Sequence, residues 1–394
     1  MTTGLLRATF TAVFLSAALV HGTPSAPPQG QAQRIVAVGD VHGSLEGLVQ
    51  ILQSAGLIDG QRRWTGGASR LVQTGDFTDR GVDVRGVIDL LMRLEGEARR
   101  TGGRVDVLLG NHEGMNILRD FRDVSPEAYA TFADKRSEDK RRRAFEAHAA
   151  IAKKAGGTIA REAWMDAHPP GYVEYVEAMA PRGQYGRWIR ARKAMLQVGD
   201  TIFMHAGLTP QTTATLDEVN RGIEREIRAW DDLAEALQAN KLIEPTFTLQ
   251  EVVNAAQVEI GRIVLAQKTG EPLGDHVTGQ FIGHLKLIPA VPTWALVDAE
   301  GPMWYRGFAT LPDSEQPAFE ALVARYGARR FVTGHTPQLP QARIGARFGG
   351  RVVLIDTGML VTHFKNGQPS ALEIQDGRLT AIYRTGREPI QEKQ

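Results

Sequence analysis

Residues 34–52 read RIVAVGDVHGSLEGLVQIL, and this stretch decides the architecture. Arg34 to Val38 is a short apolar run ending at Gly39, and Leu45, Leu48, Val49 and Leu52 fall on one helix face, which predicts a strand, a loop and a helix. The pattern returns at Arg70–Thr74 (RLVQT), ended by Gly75 and followed by Val87, Leu90, Leu91 and Leu94 at helical spacing. It returns again at Val105–Leu109 (VDVLL), ended by Gly110 and followed by a short helical segment. Strands alternating with helices in this way indicate an α/β fold with at least partly parallel strands.

Outward from this core the chain changes character. Pro126 to Leu196 carries a charged stretch (KRSEDKRRR, Lys135–Arg143) and then Trp164, Tyr172, Tyr175, Tyr185 and Trp188, which reads as a helical insertion within about 115–200. A strand follows at Thr201–Met204 (TIFM), and Leu216–Gln267 reads as further helices, a second insertion over about 212–275. Strand-like runs return at Arg330–Thr333 and Arg351–Ile355, and Leu372–Gln375 with Leu379–Tyr383 flank Asp376-Gly377 as a hairpin. The main domain is thus expected over 34–387.

Bulk composition removes several function classes. Lys and Arg (46) nearly cancel Asp and Glu (45) for a formal charge of +1, so nothing general favours a nucleic acid or a membrane surface as partner. The chain has no cysteine, which excludes thiolate nucleophiles, disulfide frameworks and cysteine-ligated zinc. Near the N-terminus, Arg7 precedes an apolar run from Ala8 to Val20, and a Gly, Pro, Ser and Gln-rich stretch covers Gly22–Gln33. Residues 1–33 therefore read as a signal peptide and spacer, with export to the periplasm or exterior; an uncleaved anchor or an apolar tail is the alternative. The run falls short of the roughly 20 apolar residues a stable membrane span needs.

Five short segments collect after the predicted strands, where open α/β sheets place their sites: GDVHG (Gly39–Gly43), GDFTDRG (Gly75–Gly81), GNHEG (Gly110–Gly114), HAGL (His205–Leu208) and TGHTP (Thr333–Pro337). Asp40 and His42 on a tight turn offer a carboxylate and an imidazole to one cation. Asp76 is placed to bridge to a second cation, completed by Asn111, His205 and His335. Two cations roughly 3.5–4 Å apart clamp a phosphate and acidify a bound water, giving a hydroxide nucleophile. His112 is the candidate general acid, with Asp79 orienting its imidazole. Arg80 and Arg306, the latter in WYRGF, offer planar forks to phosphate oxygens. The donors are all nitrogen or oxygen, which suits manganese, iron, zinc or magnesium.

Each of these residues alone is more often structural; their co-occurrence in five segments after strands carries the functional reading. His21, His148, His168, His276, His284 and His363 are left as surface or core residues, and Asp59 and Asp356 as turn or cap residues. The Lys135–Arg143 run reads as a solvated helix face rather than a dock for an acidic substrate. The aromatics from Trp164 to Trp188 fit either the wall of a substrate pocket or packing of the insertion.

In GDxHG, GDxxDRG and GNHE, and in the order of all five segments, the sequence resembles the phosphoprotein phosphatase branch of the calcineurin-like metallophosphoesterases. The resemblance spans Arg34 to about Asp356 and implies a four-layer αββα sandwich. It also carries the metal roles onto Asp40, His42, Asp76, Asn111, His205 and His335, and phosphate binding onto Arg80 and Arg306. His205-Ala206-Gly207 stands where eukaryotic members have Gly-Gly after the histidine, and Thr333–Pro337 replaces their Arg-Gly-His. These departures, and the long gap from Glu113 to His205, look most like the Shewanella-like protein phosphatases, whose characterised members favour phosphotyrosine. The resemblance implies a phosphoprotein or phosphopeptide substrate, phosphotyrosine first and phosphoserine or phosphothreonine second. The alternatives are a diadenosine tetraphosphate hydrolase, which shares His-Ala-Gly, and a non-catalytic metal-binding scaffold.

Overall fold

Met1 and residues 33–391 are described by the structure, a computed structural model. The apolar run at Ala8–Val20, His21 and the spacer up to Ala32, on which the export reading rests, lie outside the described residues.

The opening repeat folds as its pattern dictates: β1 (Ile35–Val38), α1 (Leu45–Ser54), β2 (Arg70–Gln73), α2 (Val84–Arg100), β3 (Arg104–Val107) and α3 (Asn111–Ile117). β1, β2 and β3 pair in parallel. α2 is capped by Asp83, whose carboxylate accepts from the Gly86 N–H at 2.9 Å and satisfies a donor the helix cannot. The first insertion supplies α4 (Pro126–Ala130), α5 (Ser137–Lys154), α6 (Arg161–Ala167), α7 (Tyr172–Met179) and α8 (Gln184–Arg190). β4 (Met195–Val198) and β5 (Thr201–Met204) form an antiparallel pair. The second insertion holds α9 (Leu216–Ala239), α10 (Leu249–Thr269) and α11 (Gly279–Leu285), so helical structure continues beyond 275, through a 3-10 turn at Ile288–Thr293. The remaining elements are α12 (Gly307–Thr310), α13 (Gln316–Arg325), β6 (Arg330–Thr333), β7 (Gly345–Arg347), β8 (Val352–Leu354), β9 (Ser370–Gln375), β10 (Arg378–Tyr383) and β11 (Gly386–Pro389).

The strands make a six-stranded sheet, β11-β10-β9-β1-β2-β3, and a five-stranded sheet, β4-β5-β6-β8-β7. Side-chain alternation assigns the layers. Val36 and Val38 join Leu48, Leu52, Leu91 and Leu94 under α1 and α2, while Ile35 and Ala37 meet Phe203, Val332 and Val353 between the sheets. On the far side Ile202, Met204 and Phe331 pack with Phe308, Phe319 and Leu322 of α12 and α13. The result is an αββα sandwich with helical insertions. A one-residue slip of β1 would exchange its two apolar sets, so burial fixes the register. The β9–β10 hairpin turns at Asp376-Gly377, both with positive φ (51° and 75°), between the paired Gln375 and Arg378. No helix among the described residues is long and apolar enough to cross a membrane.

Candidate active site

The five segments meet at one end of the sandwich because β1, β2, β3, β5 and β6 each end there. Their backbones are bent sharply: His42, Asp76, Asp79, Arg80 and His335 all have positive φ (47°, 55°, 66°, 64° and 66°). Such a conformation costs a non-glycine residue on the order of 1 kcal/mol or more and persists only where the surroundings impose it. Gly110 and Gly334 show why their positions admit no side chain. A Cβ on Gly110 would lie 2.1 Å from Asp76 Oδ1, and one on Gly334 would lie 2.2 Å from Asp40 Oδ1.

Three histidines have their tautomers set by backbone carbonyls, which can only accept. His42 Nδ1 donates to the Thr78 carbonyl at 3.0 Å, His205 Nδ1 to that of Thr74 at 3.1 Å, and His335 Nε2 to that of Trp304 at 3.0 Å. The lone pairs therefore sit on His42 Nε2, His205 Nε2 and His335 Nδ1. His205 Nε2 lies 3.0 Å from His335 Nδ1, 2.8 Å from Asn111 Oδ1 and 3.3 Å from Asp76 Oδ2. Four electron-pair donors so close repel one another unless a cation joins them, and this is the donor set a divalent metal takes. His42, Asp76 and His112 form one group with ligand atoms within 4.8 Å of one another, and Asp76, His205 and His335 form another. Asp76 belongs to both, as a bridging carboxylate must. Asp40 stands beside the first group, its Oδ2 3.9 Å from His42 Nε2 and its Oδ1 accepting from the His335 N–H at 2.9 Å.

Asp356 changes the picture drawn from sequence. Rather than a turn or cap residue alone, it is a buried carboxylate beside Asp40. One oxygen caps Gly358 N–H at 2.9 Å, but Oδ2 has no hydrogen-bond partner. Burial, then Asp356 and Asp76, push Asp40 well above the usual carboxylate range, and burial lifts Asp356 to about 6. Asp76 goes the other way: burial opposes its charge, but His205 and His112 outweigh it. Three clustered buried carboxylates, one with an orphan oxygen, fit the same conclusion: the site is built for positive charge.

Beside the cluster, His112 Nδ1 donates to Asp79 Oδ2 at 2.8 Å. Burial disfavours a charged His112, yet Asp76 and then Asp79 overcome it and raise its pKa to about 9. The chain of contacts continues: Asn116 Nδ2 donates to Asp79 Oδ1 at 2.7 Å, and the fully buried Tyr175 hydroxyl donates to Asn116 Oδ1 at 2.5 Å. Glu113, with no exposed surface, accepts from the N–H groups of Asp76 (2.8 Å), Phe77 (3.0 Å), Thr78 (3.0 Å) and Gly110 (2.8 Å) and thus holds the second segment against the third. Asn116 was detectable, because four residues after His112 on one helix places it on the same face. Tyr175 was not, since only the folded insertion brings it there.

A cavity of about 390 Å³ opens onto His112 and Asp76 and is walled by Arg80, Arg122, Trp304, Arg306 and Phe364. Arg80 lies over the Phe364 ring at 5.7 Å and donates to His42 Nε2 at 2.8 Å. Arg306 donates to the His335 carbonyl at 2.8 Å and to the Thr336 hydroxyl at 3.1 Å. Every site residue expected from sequence is thus found at this end of the molecule, with Arg122, Trp304 and Phe364 as additions.

The residues set aside behave structurally. His148 bonds Thr246 at 2.9 Å and His168 stacks on Trp164 at 4.0 Å. His276 pairs with Glu259, Asp59 closes a turn onto the Gln61 and Arg63 N–H groups, and His284 lies on α11. His363 meets the Phe364 ring edge to face at 4.7 Å. Three members of the basic run pair with neighbouring acids, Arg141 with Glu138, Arg142 with Asp139 and Lys140 with Glu177, while Arg136 and Arg143 form no ion pair among the described residues. The aromatics resolve as packing: Tyr175 meets Phe121, Tyr129 and Phe132 edge to face, and Trp188 meets Phe77.

Residues 33–243 match the family model described as calcineurin-like phosphoesterase. An uncharacterised protein of Schizosaccharomyces pombe is 27% identical over 361 residues, covering 89% of this chain and 81% of its own length. Shewanella-like protein phosphatase 2 of Arabidopsis thaliana is 32% identical over 216 residues, 50% of this chain and 51% of that protein. Shewanella-like protein phosphatase 1 of Plasmodium berghei is 25% identical over 354 residues, 89% and 74% of the two chains. In fold, the chain is similar to the crystal structure of a cold-active protein-tyrosine phosphatase of a psychrophile Shewanella species, with a TM-score of 0.57 and 22% identity over 91% of this chain and 80% of that one. The matched segment contains four of the five loops that converge on the cavity, and the chain belongs to the calcineurin-like phosphoesterase family, as a phosphatase of the metallophosphoesterase class.

Proposed function

We propose that the chain is a two-metal phosphomonoester hydrolase acting on phosphoproteins, with phosphotyrosine favoured over phosphoserine and phosphothreonine, in an exported location. The observation that carries this reading is the approach of His205 Nε2 to His335 Nδ1, Asn111 Oδ1 and Asp76 Oδ2 at 2.8–3.3 Å, beside a cavity walled by Arg80 and Arg306. Asp40, His42 and Asp76 would hold one divalent ion, and Asp76, Asn111, His205 and His335 the other. Bound there, such ions supply Lewis-acid polarisation of the phosphoryl group and acidify water.

The chain's own groups do the rest. Arg80 and Arg306 take phosphate oxygens with charge-assisted hydrogen bonds, and Arg80 also donates to His42 Nε2 at 2.8 Å. His112 delivers a proton from Nε2 to the leaving oxygen, while Asp79 holds Nδ1–H and stabilises the charged ring. Asn116 and Tyr175 keep Asp79 in place. Trp304 and Phe364 present aromatic surface to the leaving group, which favours an aryl ester. The names of the Arabidopsis and Plasmodium relatives agree with a protein substrate. The leader-like run of Ala8–Val20 supports export.

The test is to load the protein with manganese and compare a phosphotyrosine peptide, a phosphoserine peptide and diadenosine tetraphosphate, each with a chelator control. Chelator-sensitive phosphate release, faster from phosphotyrosine, is expected. Cleavage of the dinucleotide alone, or no turnover with metal bound, would overturn the reading.

A further inference from the structure

Between the two helical insertions lies a cleft of about 1070 Å³, lined by neither the metal-site residues nor Arg80 and Arg306. Asn116, at the opposite end of α3 from Asn111, and Arg119, two residues beyond that helix, reach it, and Phe121, Val173, Val176 and Met179 give it an apolar wall. Arg119 is the unusual member. Its backbone is left-handed (φ 65°), and its guanidinium makes one hydrogen bond, a long 3.5 Å contact to the Glu244 carbonyl. Burial lowers its pKa to about 10. Among the described residues no carboxylate forms an ion pair with it.

The acids nearby are already engaged. Arg190 binds both oxygens of Asp231, at 2.7 and 2.9 Å, Lys140 holds Glu177 at 2.8 Å, and Arg182 holds Glu235 at 2.9 Å. Asp139 pairs with Arg142 at 2.7 Å. Arg136 and Arg143 also face the cleft without ion-pair partners among the described residues, against one such carboxylate, Glu244. Asp231 attracts Arg119 through space, but both its oxygens bond Arg190; a guanidinium taken from water with no carboxylate bonded to it is costly, and a bound anion reduces that cost.

We propose that this cleft is a second binding site, for a small organic anion whose acidic group pairs with Arg119 and whose body lies on the apolar wall. Occupancy would be felt in the catalytic cavity, because α3 is a short element of about 10 Å with Asn111 and His112 at one end and Asn116 at the other, and Arg119 follows two residues after its last turn. Asn116 is the side chain that holds Asp79. The binding claim stands apart from the phosphatase reading; the coupling claim rests on it.

Fluorescence titration of the full chain with anilinonaphthalene sulfonate, an anion on an aromatic body, tests both. One saturable site per chain is expected, weakened at least about tenfold by Arg119→Gln and left within about twofold by Arg80→Gln, whose side chain lies in the other cavity. Arg143→Gln, at the surface, should weaken binding by about threefold without disturbing the fold and decides the matter if Arg119→Gln does not melt cooperatively. Binding indifferent to both cleft substitutions, or abolished by Arg80→Gln, would overturn the site. Saturating probe should also change kcat on para-nitrophenyl phosphate by at least about twofold in the wild type. An unchanged kcat with the probe bound would overturn the coupling.

Discussion

The loops at the end of the sandwich and the helices inserted between its strands solve different problems with different residues. In the loops, positions are held by glycines that admit no Cβ, by left-handed backbone at His42, Asp76 and His335, and by buried polar contacts such as the four N–H groups around Glu113. In the insertions, aromatic rings meet edge to face and ion pairs line the surface, as with Tyr175 among Phe121, Tyr129 and Phe132. Polar geometry is directional and loses its value over a fraction of an ångström, whereas apolar packing accepts many sequences of similar volume. The loops therefore leave a signature in the sequence, and the insertions leave mostly a composition.

The sharpest test of the loop side is Asp76→Asn. Its carboxylate belongs to both candidate metal groups, so the variant should lose both ions and at least about a thousandfold in kcat, since both Lewis acids depart together. Elemental analysis that still finds two tightly bound metals would break the assignment. Next comes His112→Asn, expected to keep its metals and to lose at least about a hundredfold on alkyl phosphates. The loss should shrink on an aryl phosphate whose leaving group needs no proton. Equal losses on both esters would remove the acid role.

One residue crosses the comparison. Tyr175 belongs to the insertion's aromatic packing, yet its hydroxyl reaches Asn116 and, through it, Asp79. Tyr175→Phe keeps the ring and deletes the bond, so kcat should fall about fivefold, the equivalent of one buried hydrogen bond of ~1 kcal/mol, with KM unchanged. The reduction should again be smaller for an aryl ester, a pattern that simple loss of stability does not produce. A fall of equal size on both substrates would make Tyr175 a packing residue only.

The same contrast explains what could be read in advance. β1, β2 and β3 were legible because each pairs an apolar run with a glycine-ended loop and a following helix, and the hairpin because Asp376-Gly377 suits a turn with two positive φ angles. Asp40, His42, Asp76, Asn111, His205 and His335 were legible because their glycine neighbours and strand-end positions recur together. β4, β7 and β11 were not: Gly345–Arg347 (GAR) and Gly386–Pro389 (GREP) carry no apolar run, and Met195–Val198 is followed directly by another strand rather than by a helix. Asp356 was missed because its chemistry comes from being buried beside Asp40, a proximity between residues more than three hundred positions apart that no local pattern encodes.

The smallest effect expected lies wholly within the insertions. Glu251 closes the N-terminal turn of α10, accepting from the Thr248 N–H at 2.8 Å and hydroxyl at 2.9 Å, with His148 Nδ1 at 3.6 Å. Burial works against its charge, but His148 and Thr248 outweigh it and hold the carboxyl below its ordinary 4.5. A carboxyl depressed in the folded state stabilises that state above its unfolded value and ceases to do so as pH falls through its folded value. The protein should therefore lose melting temperature below about pH 4.5, and Glu251→Gln should flatten that part of the curve while lowering the neutral plateau slightly. Because Glu251 touches none of the strand-end loops, kcat at neutral pH should stay unchanged. An acid limb identical in wild type and Glu251→Gln would mean that the sandwich, with its own buried carboxylates, sets acid stability, and that insertion and site do not unfold as separable parts.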